Sequence, residues 1–125
     1  MSEMRVLIVD DNADCADSTA DLLQFWGFAV QVARDGQTGL AAAIEHKPDV
    51  LLLDIGLPQL DGYELAKRLD ETAWLKKPFV IAITGFERDS DQQRAKDAGI
   101  HVHMTKPVDP QSLLALLRRF ERIVG

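Results

Sequence analysis

Five short apolar runs alternate along the chain with longer stretches of mixed polarity. The runs cover residues 6–9, 29–32, 50–53, 79–83 and 100–104. The first, third and fourth consist almost entirely of Val, Ile and Leu, which is typical of strands covered on both faces. The alternation of strands with helices predicts an α/β fold, a doubly wound five-stranded parallel sheet with right-handed crossovers and helices on both faces.

The stretches between the runs carry apolar residues at helical spacing. The anchors of the first three predicted helices are Ala16, Ala20 and Leu23, then Leu40 and Ile44, then Leu65 and Leu69. The fourth stretch, residues 89–98, offers few apolar anchors, which is typical of a helix of low local stability. In the last helix, Asp109 is a predicted N-cap and Pro110 a predicted first residue.

Polar residues follow four of the predicted strands. The first strand ends at Asp10 and Asp11, the third at Asp54, and the fourth at Thr84, while Lys106 follows the fifth. Because functional groups of parallel sheets collect at the carboxyl ends of the strands, we expect these side chains to share one cleft. A single Asp after a strand is usually a turn former or a helix cap. Three carboxylates in one cleft, however, repel each other unless a cation intervenes.

This set of side chains suits phosphoryl transfer. Oxygen ligands without His or Cys favour a hard cation, and Mg²⁺ fits a site that keeps several waters. A carboxylate can act as a nucleophile, and phosphoryl transfer requires positioning and neutralisation of charge. One Asp would attack while the other two hold Mg²⁺. Lys106 would bind one phosphoryl oxygen and the Thr84 hydroxyl another. The residues therefore predict an acidic, Mg²⁺-dependent phosphoryl site.

Four motifs add a family resemblance. The chain carries Val-Leu-Ile-Val-Asp-Asp-Asn at 6–12, Leu-Leu-Leu-Asp-Ile-Gly-Leu-Pro-Gln-Leu-Asp-Gly at 51–62, Ile-Ala-Ile-Thr-Gly at 81–85 and Lys-Pro-Val at 106–108. In this order and spacing they resemble the receiver domain of two-component response regulators, over essentially the whole chain. The resemblance implies a flavodoxin-like (βα)5 fold with strand order 2-1-3-4-5. From its length of 125 residues, the chain is expected to be one domain over residues 1–125, with no output domain.

The resemblance assigns roles to the acidic residues and to one glycine. Asp54 is expected to be the phosphoacceptor. Asp10 and Asp11 are expected to bind Mg²⁺ together with Asp54, and the backbone carbonyl of Gly56 is expected to complete the protein ligands.

Further roles fall on the ends of the fourth and fifth strands. Thr84 resembles the switch hydroxyl of the family, Lys106 the phosphate-pairing lysine, and Pro107 the proline of the usual cis peptide bond. His103 stands where the family more often has Tyr or Phe, an aromatic that swings inward on phosphorylation. Because imidazole titrates near neutrality, the hypothesis is a pH-dependent switch at His103. The alternative is a solvent-facing strand histidine.

The function implied by the resemblance is that of a signalling phosphoacceptor, not an enzyme. A histidine kinase or a histidine-phosphotransfer protein would donate the phosphoryl group to Asp54. An unknown downstream protein would then read the surface formed by residues 89–98, the fifth strand and the last helix. The chain would be either a stand-alone regulator or the receiver of a larger protein, such as a hybrid histidine kinase.

Composition limits the cellular compartments and the classes of partner that the chain would suit. Lys and Arg total 14 and Asp and Glu total 20, a net charge of −6 that argues against nucleic acid as a partner. No early apolar run is long enough for a signal peptide or a membrane span. The single cysteine, Cys15, excludes an internal disulfide and suits a reducing compartment. A cytoplasmic protein that does not bind membranes is expected.

Two alternative functions use a similar fold. A Mg²⁺-dependent phosphohydrolase of the haloacid-dehalogenase type also has a strand-end Asp nucleophile, but in an Asp-x-Asp pattern after strand one. Here that strand ends in Asp10-Asp11-Asn12. A flavodoxin-like electron carrier needs a first loop that cradles a phosphate, which the acidic residues of this loop would repel.

Overall fold

The computed structural model describes residues 4–55, 62–71, 78–84, 96, 98–105 and 108–124. Within them, five strands form one parallel sheet: β1 (Arg5–Val9), β2 (Ala29–Ala33), β3 (Val50–Asp54), β4 (Phe79–Thr84) and β5 (Val102–Thr105). Their spatial order is β2-β1-β3-β4-β5, with β1 paired to both β2 and β3. The predicted α/β class and the predicted strand order are confirmed.

Four helices are described in the same parts of the chain: α1 (Ala13–Phe25), α2 (Gly36–His46), α3 (Gly62–Glu71) and α4 (Pro110–Val124). Pro110 begins α4, as predicted. The left-handed conformation of Lys47 ends α2, one residue before Pro48, which could not continue the helix. No described helix has the length and apolarity that crossing a membrane requires.

Side-chain oxygens cap three of these helices at their first turns. Such a cap satisfies a backbone N–H that has no partner within the helix. The bonds run from the N–H of Cys15 to Asn12 (3.0 Å), from that of Thr38 to Asp35 (2.7 Å) and from that of Ser112 to Asp109 (3.1 Å). The predicted cap at Asp109 is confirmed.

The apolar core consists of two layers, one on each face of the sheet. Alternate residues of each strand enter opposite layers, as the pleat of a strand requires. One layer joins the sheet to α1 and α4 through Ala16, Ala20, Leu23, Leu113 and Leu117. The other joins it to α2 and α3 through Ala43, Leu65, Ala66 and Leu69. Helices therefore cover both faces, as the nearly continuous apolar strands predicted.

The prediction that Ile44 anchors α2 is wrong. Ile44 is 48% exposed, and the buried residues of α2 are Gly36, Gly39 and Ala43. A Cβ at Gly39 would lie 2.9 Å from both γ-carbons of Val9. The helix therefore approaches the sheet on its small-residue face, and this close approach turns Ile44 towards solvent.

The fifth strand begins later than predicted, at Val102 instead of residue 100. Gly99 has a positive φ of 80°, so the chain is still turning there. His101 is already tied to the sheet, since its N–H donates to the carbonyl of Val80 at 3.0 Å. Of the predicted helical stretch 89–98, the structure describes Lys96, which is helical, and Ala98, which is buried. The rest lies outside the described residues.

Candidate functional site

The pairing of the strands brings the predicted acidic residues to one edge of the sheet. Val9, the last residue of β1, pairs with Leu53 of β3. The next residue on each strand is Asp10 and Asp54, so the register places these two carboxylates beside each other.

The carboxylates of Asp10, Asp11 and Asp54 form a cluster. One oxygen from each lies within 4.8 Å of the other two. Asp10 and Asp54 are each only 6% exposed, whereas Asp11 is exposed. Buried like charges at this separation are costly without a compensating cation. The cluster could therefore hold a metal ion, and its side-chain donors are all carboxylates.

The loop between β1 and α1 fixes Asp10 through its backbone and its side chain. The N–H of Asp10 donates to the carbonyl of Ala33 at 3.0 Å, which joins the loop to the end of β2. Its Oδ1 accepts the N–H of Asn12 at 2.9 Å. Asn12 in turn caps α1, so the buried carboxylate and the beginning of the helix are held by the same short turn.

Asn12 was missed as part of the site by the sequence reasoning. The signal was present, because an Asn directly before a helical run is a common N-cap. The prediction gave it no role beyond its place in the first motif. The structure links it to the cluster through its backbone N–H and to α1 through its side chain.

Thr84 lies at the end of the strand next to β3. Ile83 pairs with Asp54, and the N–H of Ile55 donates to the carbonyl of Ile83 at 3.1 Å. The residue after Ile83 is therefore beside the cluster in the order of the sheet. Thr84 is 7% exposed and pairs in register with Thr105 of β5. Thr84, the residue predicted to supply the hydroxyl, is thus buried at the same edge of the sheet as the aspartates.

His103 lies in the middle of β5, opposite Ala82 of β4. The residue is partly buried, and its Nε2 atom is fully shielded from solvent. Among the described residues this nitrogen has no hydrogen-bond partner. A solvent-facing ring would leave this atom accessible to water, so the ring is oriented inward. Its role as a switch stays a prediction.

Three predicted site residues lie outside the part of the chain that the structure describes. They are Gly56, Lys106 and Pro107. The metal-binding carbonyl, the phosphate-pairing amine and the predicted cis peptide bond therefore stay predictions. Of the predicted side chains that are described, Asp10, Asp11, Asp54 and Thr84 lie together at one edge of the sheet.

Comparison with known proteins gives consistent matches over almost the whole chain. The family model for the response regulator receiver domain matches residues 6–118. The polar-differentiation response regulator DivK of Brucella anthropi is 31% identical over 115 residues, which cover 92% of this chain and 94% of DivK. The DNA-binding dual master transcriptional regulator RpaA of Synechocystis is 35% identical over 123 residues, and the chain spans 51% of its length.

Solved structures agree in both fold and extent. A CheY-like response regulator receiver domain protein from Methanospirillum hungatei superposes with a TM-score of 0.88 at 31% sequence identity. The match covers 97% of this chain and 96% of that protein.

Proposed function

The chain belongs to the response regulator receiver domain family, and from this premise we propose that its phosphoryl acceptor is the carboxylate of Asp54. The observation that carries the proposal is the carboxylate cluster. Asp10, Asp11 and Asp54 approach within 4.8 Å of one another although two of them are almost completely buried. Proteins of this family are signalling modules, and we propose that residues 1–125 form one such receiver.

The proposed reaction is a transfer from a phosphohistidine of a histidine kinase or a histidine-phosphotransfer protein. A carboxylate oxygen of Asp54 attacks the phosphorus atom. The new P–O bond forms as the P–N bond breaks, and the donor imidazole keeps the electron pair of that bond and takes up a proton. The products are an acyl phosphate on Asp54 and an unmodified histidine on the donor.

We propose Mg²⁺ as the cofactor, held by Asp10, Asp11, Asp54 and the backbone carbonyl of Gly56. The donor set supports this choice, because three carboxylates without His or Cys favour a hard cation. When bound, the ion supplies neutralisation of the charge that develops on the phosphoryl oxygens. The exposure of Asp11 leaves one side of the cluster open to water and to a donor protein.

The proposed response begins with the added charge, about −1.5 to −2 at neutral pH. The hydroxyl of Thr84 donates to one phosphoryl oxygen and the amine of Lys106 pairs with another. His103 then changes its environment, which is favoured because a buried polar atom without a partner is destabilising. Pro107 keeps the backbone after Lys106 in place.

The proposed output surface consists of residues 89–98, β5 and α4. A shift of Thr84 reaches β5 directly, since Thr84 and Thr105 are partners in register. A downstream protein reads the surface as a change in the population of two arrangements. We place this signalling in the cytoplasm, because the one cysteine, which is free and exposed, suits a reducing compartment.

The test is incubation with acetyl phosphate and Mg²⁺, followed by the intact mass of the protein. The expected result is one phosphoryl adduct that requires Mg²⁺ and disappears in Asp54→Asn. The matched control is Asp21→Asn, which removes an exposed carboxylate of α1 outside the cluster and should keep the adduct. Circular dichroism checks that both variants fold. An adduct that persists in Asp54→Asn, or steady turnover of a phosphomonoester, would contradict the proposal.

A further inference from the structure

The side chain of His101 joins β4 to the beginning of β5. The backbone N–H of Val80 donates to the Nδ1 atom of His101 at 3.0 Å. In return, the backbone N–H of His101 donates to the carbonyl of Val80 at 3.0 Å. The register of the two strands starts one residue later, at the pair Ile81 and Val102. The imidazole therefore extends the ladder by supplying an acceptor before β5 begins.

An aromatic column holds the imidazole in this position. The ring of Phe79 stacks on that of His101, with centroids 5.1 Å apart and an interplanar angle of 20°. The same Phe79 ring stacks on Phe120 of α4 at 4.6 Å. The orientation of His101 is thus connected to the packing of α4 on the sheet.

The nitrogen that accepts the bond can do so only while it carries no proton. In neutral imidazole one nitrogen is a donor and the other an acceptor, whereas in the protonated ring both are donors. With Nδ1 as the acceptor, the single proton of the neutral ring is on Nε2. Protonation would make Nδ1 a donor. Two donors, Nδ1–H and the N–H of Val80, would then face each other, and the hydrogen bond would be lost.

We propose that His101 is a proton-sensitive latch that ties the beginning of β5 to β4 while the ring is neutral and releases it on protonation. The proposal involves no phosphoryl group and stands apart from the proposed function. Its consequence lies in β5, which carries His103 and pairs Thr105 with Thr84. Acidification would therefore loosen the strand whose other end lies at the same edge of the sheet as the carboxylate cluster.

Within the described part of the chain, an acidic side chain of α3 lies near the imidazole. Asp70 of α3 lines the same cavity of about 200 Å³ as His101, together with Pro78 and Gly99. A carboxylate near the ring favours its protonated form, so Asp70 opposes the closed latch and raises the pH at which the ring becomes neutral. From β4, the apolar ring of Phe79 stacks on the imidazole, and Phe120 of α4 stacks on the same Phe79 ring.

The sign of the pH effect follows from proton binding. An unfolded histidine takes up a proton near pH 6.5, roughly its unperturbed value. The closed latch requires the neutral ring, so the latched state binds fewer protons than the released or unfolded state. Stability of the latched state therefore rises with pH and is lost as the pH falls through this range.

The experiment is hydrogen exchange by NMR on the unmodified chain of 125 residues. Protection factors, which correct for the intrinsic pH dependence of exchange, are compared at about pH 7.5 and about pH 5.5, on either side of the histidine value. We expect the protection factor of the Val80 amide to fall by about three- to tenfold at the lower pH. The ¹⁵N shifts of the His101 ring should place its proton on Nε2 at the higher pH.

Two variants of His101 distinguish the effect of losing the hydrogen-bond acceptor from the effect of losing the titrating ring. His101→Asn keeps an acceptor oxygen at the branch that Nδ1 occupies but does not titrate, so protection of Val80 should become independent of pH. His101→Phe keeps the stacked ring but has no acceptor, so protection should be low at both pH values. His46→Gln, which changes a histidine at the end of α2, should keep the wild-type response.

Two results would overturn the latch. One is a His101 ring whose proton is on Nδ1 at about pH 7.5, well above the histidine value. The other is an equal fall of Val80 protection in wild type and in His101→Asn. The ring measurement needs no variant, so the proposal can be refuted even where a substitution prevents folding. Neither result depends on whether Asp54 accepts a phosphoryl group.

Discussion

One aspartate precedes β3 and another is its last residue, and the two ends of this strand differ in what surrounds them. Asp49, at the amino end, accepts the backbone N–H of Arg5 at 2.8 Å, and its own N–H donates to the carbonyl of Arg5 at 2.9 Å. Asp54, at the carboxyl end, lies within 4.8 Å of two other carboxylates. One carboxylate therefore binds the backbone of its neighbour strand, and the other is crowded by like charge.

Other residues at the two edges of the sheet show the same difference. At the amino edge, the carbonyl of Asp49 accepts the N–H of Phe79, and the guanidinium of Arg5 donates to the carbonyl of His46 at the end of α2. These contacts join strands and helix. At the carboxyl edge, burial and like charge come together. An Asp at the end of a strand therefore indicates chemistry when other carboxylates lie beside it.

The largest expected difference between the two edges is in metal binding. Asp11→Ala should weaken Mg²⁺ affinity by at least about tenfold, because even outer partners of a metal site contribute that much. Asp49→Ala should leave the affinity unchanged and lower the free energy of unfolding by about 1 kcal/mol through its lost hydrogen bond. Isothermal titration calorimetry and urea unfolding measure the two quantities. Equal losses of affinity in both variants would remove the distinction between the edges.

The next effect concerns the packing that supports the carboxyl edge. Gly39→Ala places a methyl group 2.9 Å from both γ-carbons of Val9, the residue before Asp10. Overpacking of this kind costs about 1–3 kcal/mol, partly offset by the better helix propensity of Ala, about 1 kcal/mol. Urea unfolding should show a net loss of stability.

The double variant Gly39→Ala with Val9→Ala tests the same contact. It should show a smaller loss than the sum of the two single variants, because the truncated side chain makes room for the methyl group. Ser18→Ala, an exposed change on α1, serves as the control and should be nearly neutral. A Gly39→Ala protein as stable as wild type would show that the close approach of α2 is not maintained.

A smaller effect tests the link between the cap of α1 and the cluster. Asn12→Ala removes a cap and should lower the free energy of unfolding by about 1 kcal/mol. It should also weaken Mg²⁺ binding, because loss of the side-chain cap loosens the turn that positions the backbone N–H of residue 12, which the variant keeps, against Asp10. Asp109→Ala removes the cap of α4 and should cost similar stability with no loss of Mg²⁺ affinity. Unchanged Mg²⁺ affinity in Asn12→Ala would separate the cap from the site.

The smallest effect is electrostatic and lies at the beginning of α2. Hydrogen bonds from the backbone N–H and the side chain of Thr38 lower the pKa of Asp35 below its usual value. The folded state therefore favours the ionised carboxylate. This contribution is present above the unfolded pKa, about 3.9, and is lost as the pH falls through the lower folded pKa.

NMR titration of the side-chain carboxyl carbon measures this shift. Wild-type Asp35 should titrate below an exposed aspartate of the same protein, and Thr38→Ala should move it back towards the usual value, although the backbone N–H of residue 38 remains. A titration of Asp35 that is identical in both proteins would show that the Thr38 side chain does not contribute.

The sequence predicted which carboxylates meet at the sheet edge better than it predicted which face of a helix is buried or where a strand begins. Strand ends are readable from apolar runs, so the convergence of Asp10 and Asp54 followed from topology and was found. The buried face of α2 was predicted wrongly. Apolar periodicity favoured Ile44, and it could not reveal the close approach of the helix to the sheet at Gly39. The later beginning of β5 depends on the positive φ of Gly99. A backbone dihedral angle of this kind cannot be predicted from a run of apolar residues.

Locating the acyl phosphate shows whether Asp54 is the group that is modified within the cluster. After treatment with acetyl phosphate and Mg²⁺, borohydride reduces an aspartyl phosphate to homoserine, which peptide mass spectrometry assigns to a position. We expect homoserine at residue 54, and at neither residue 10 nor residue 11. Homoserine at either of those positions, or at none in a folded, Mg²⁺-loaded protein, would contradict this expectation.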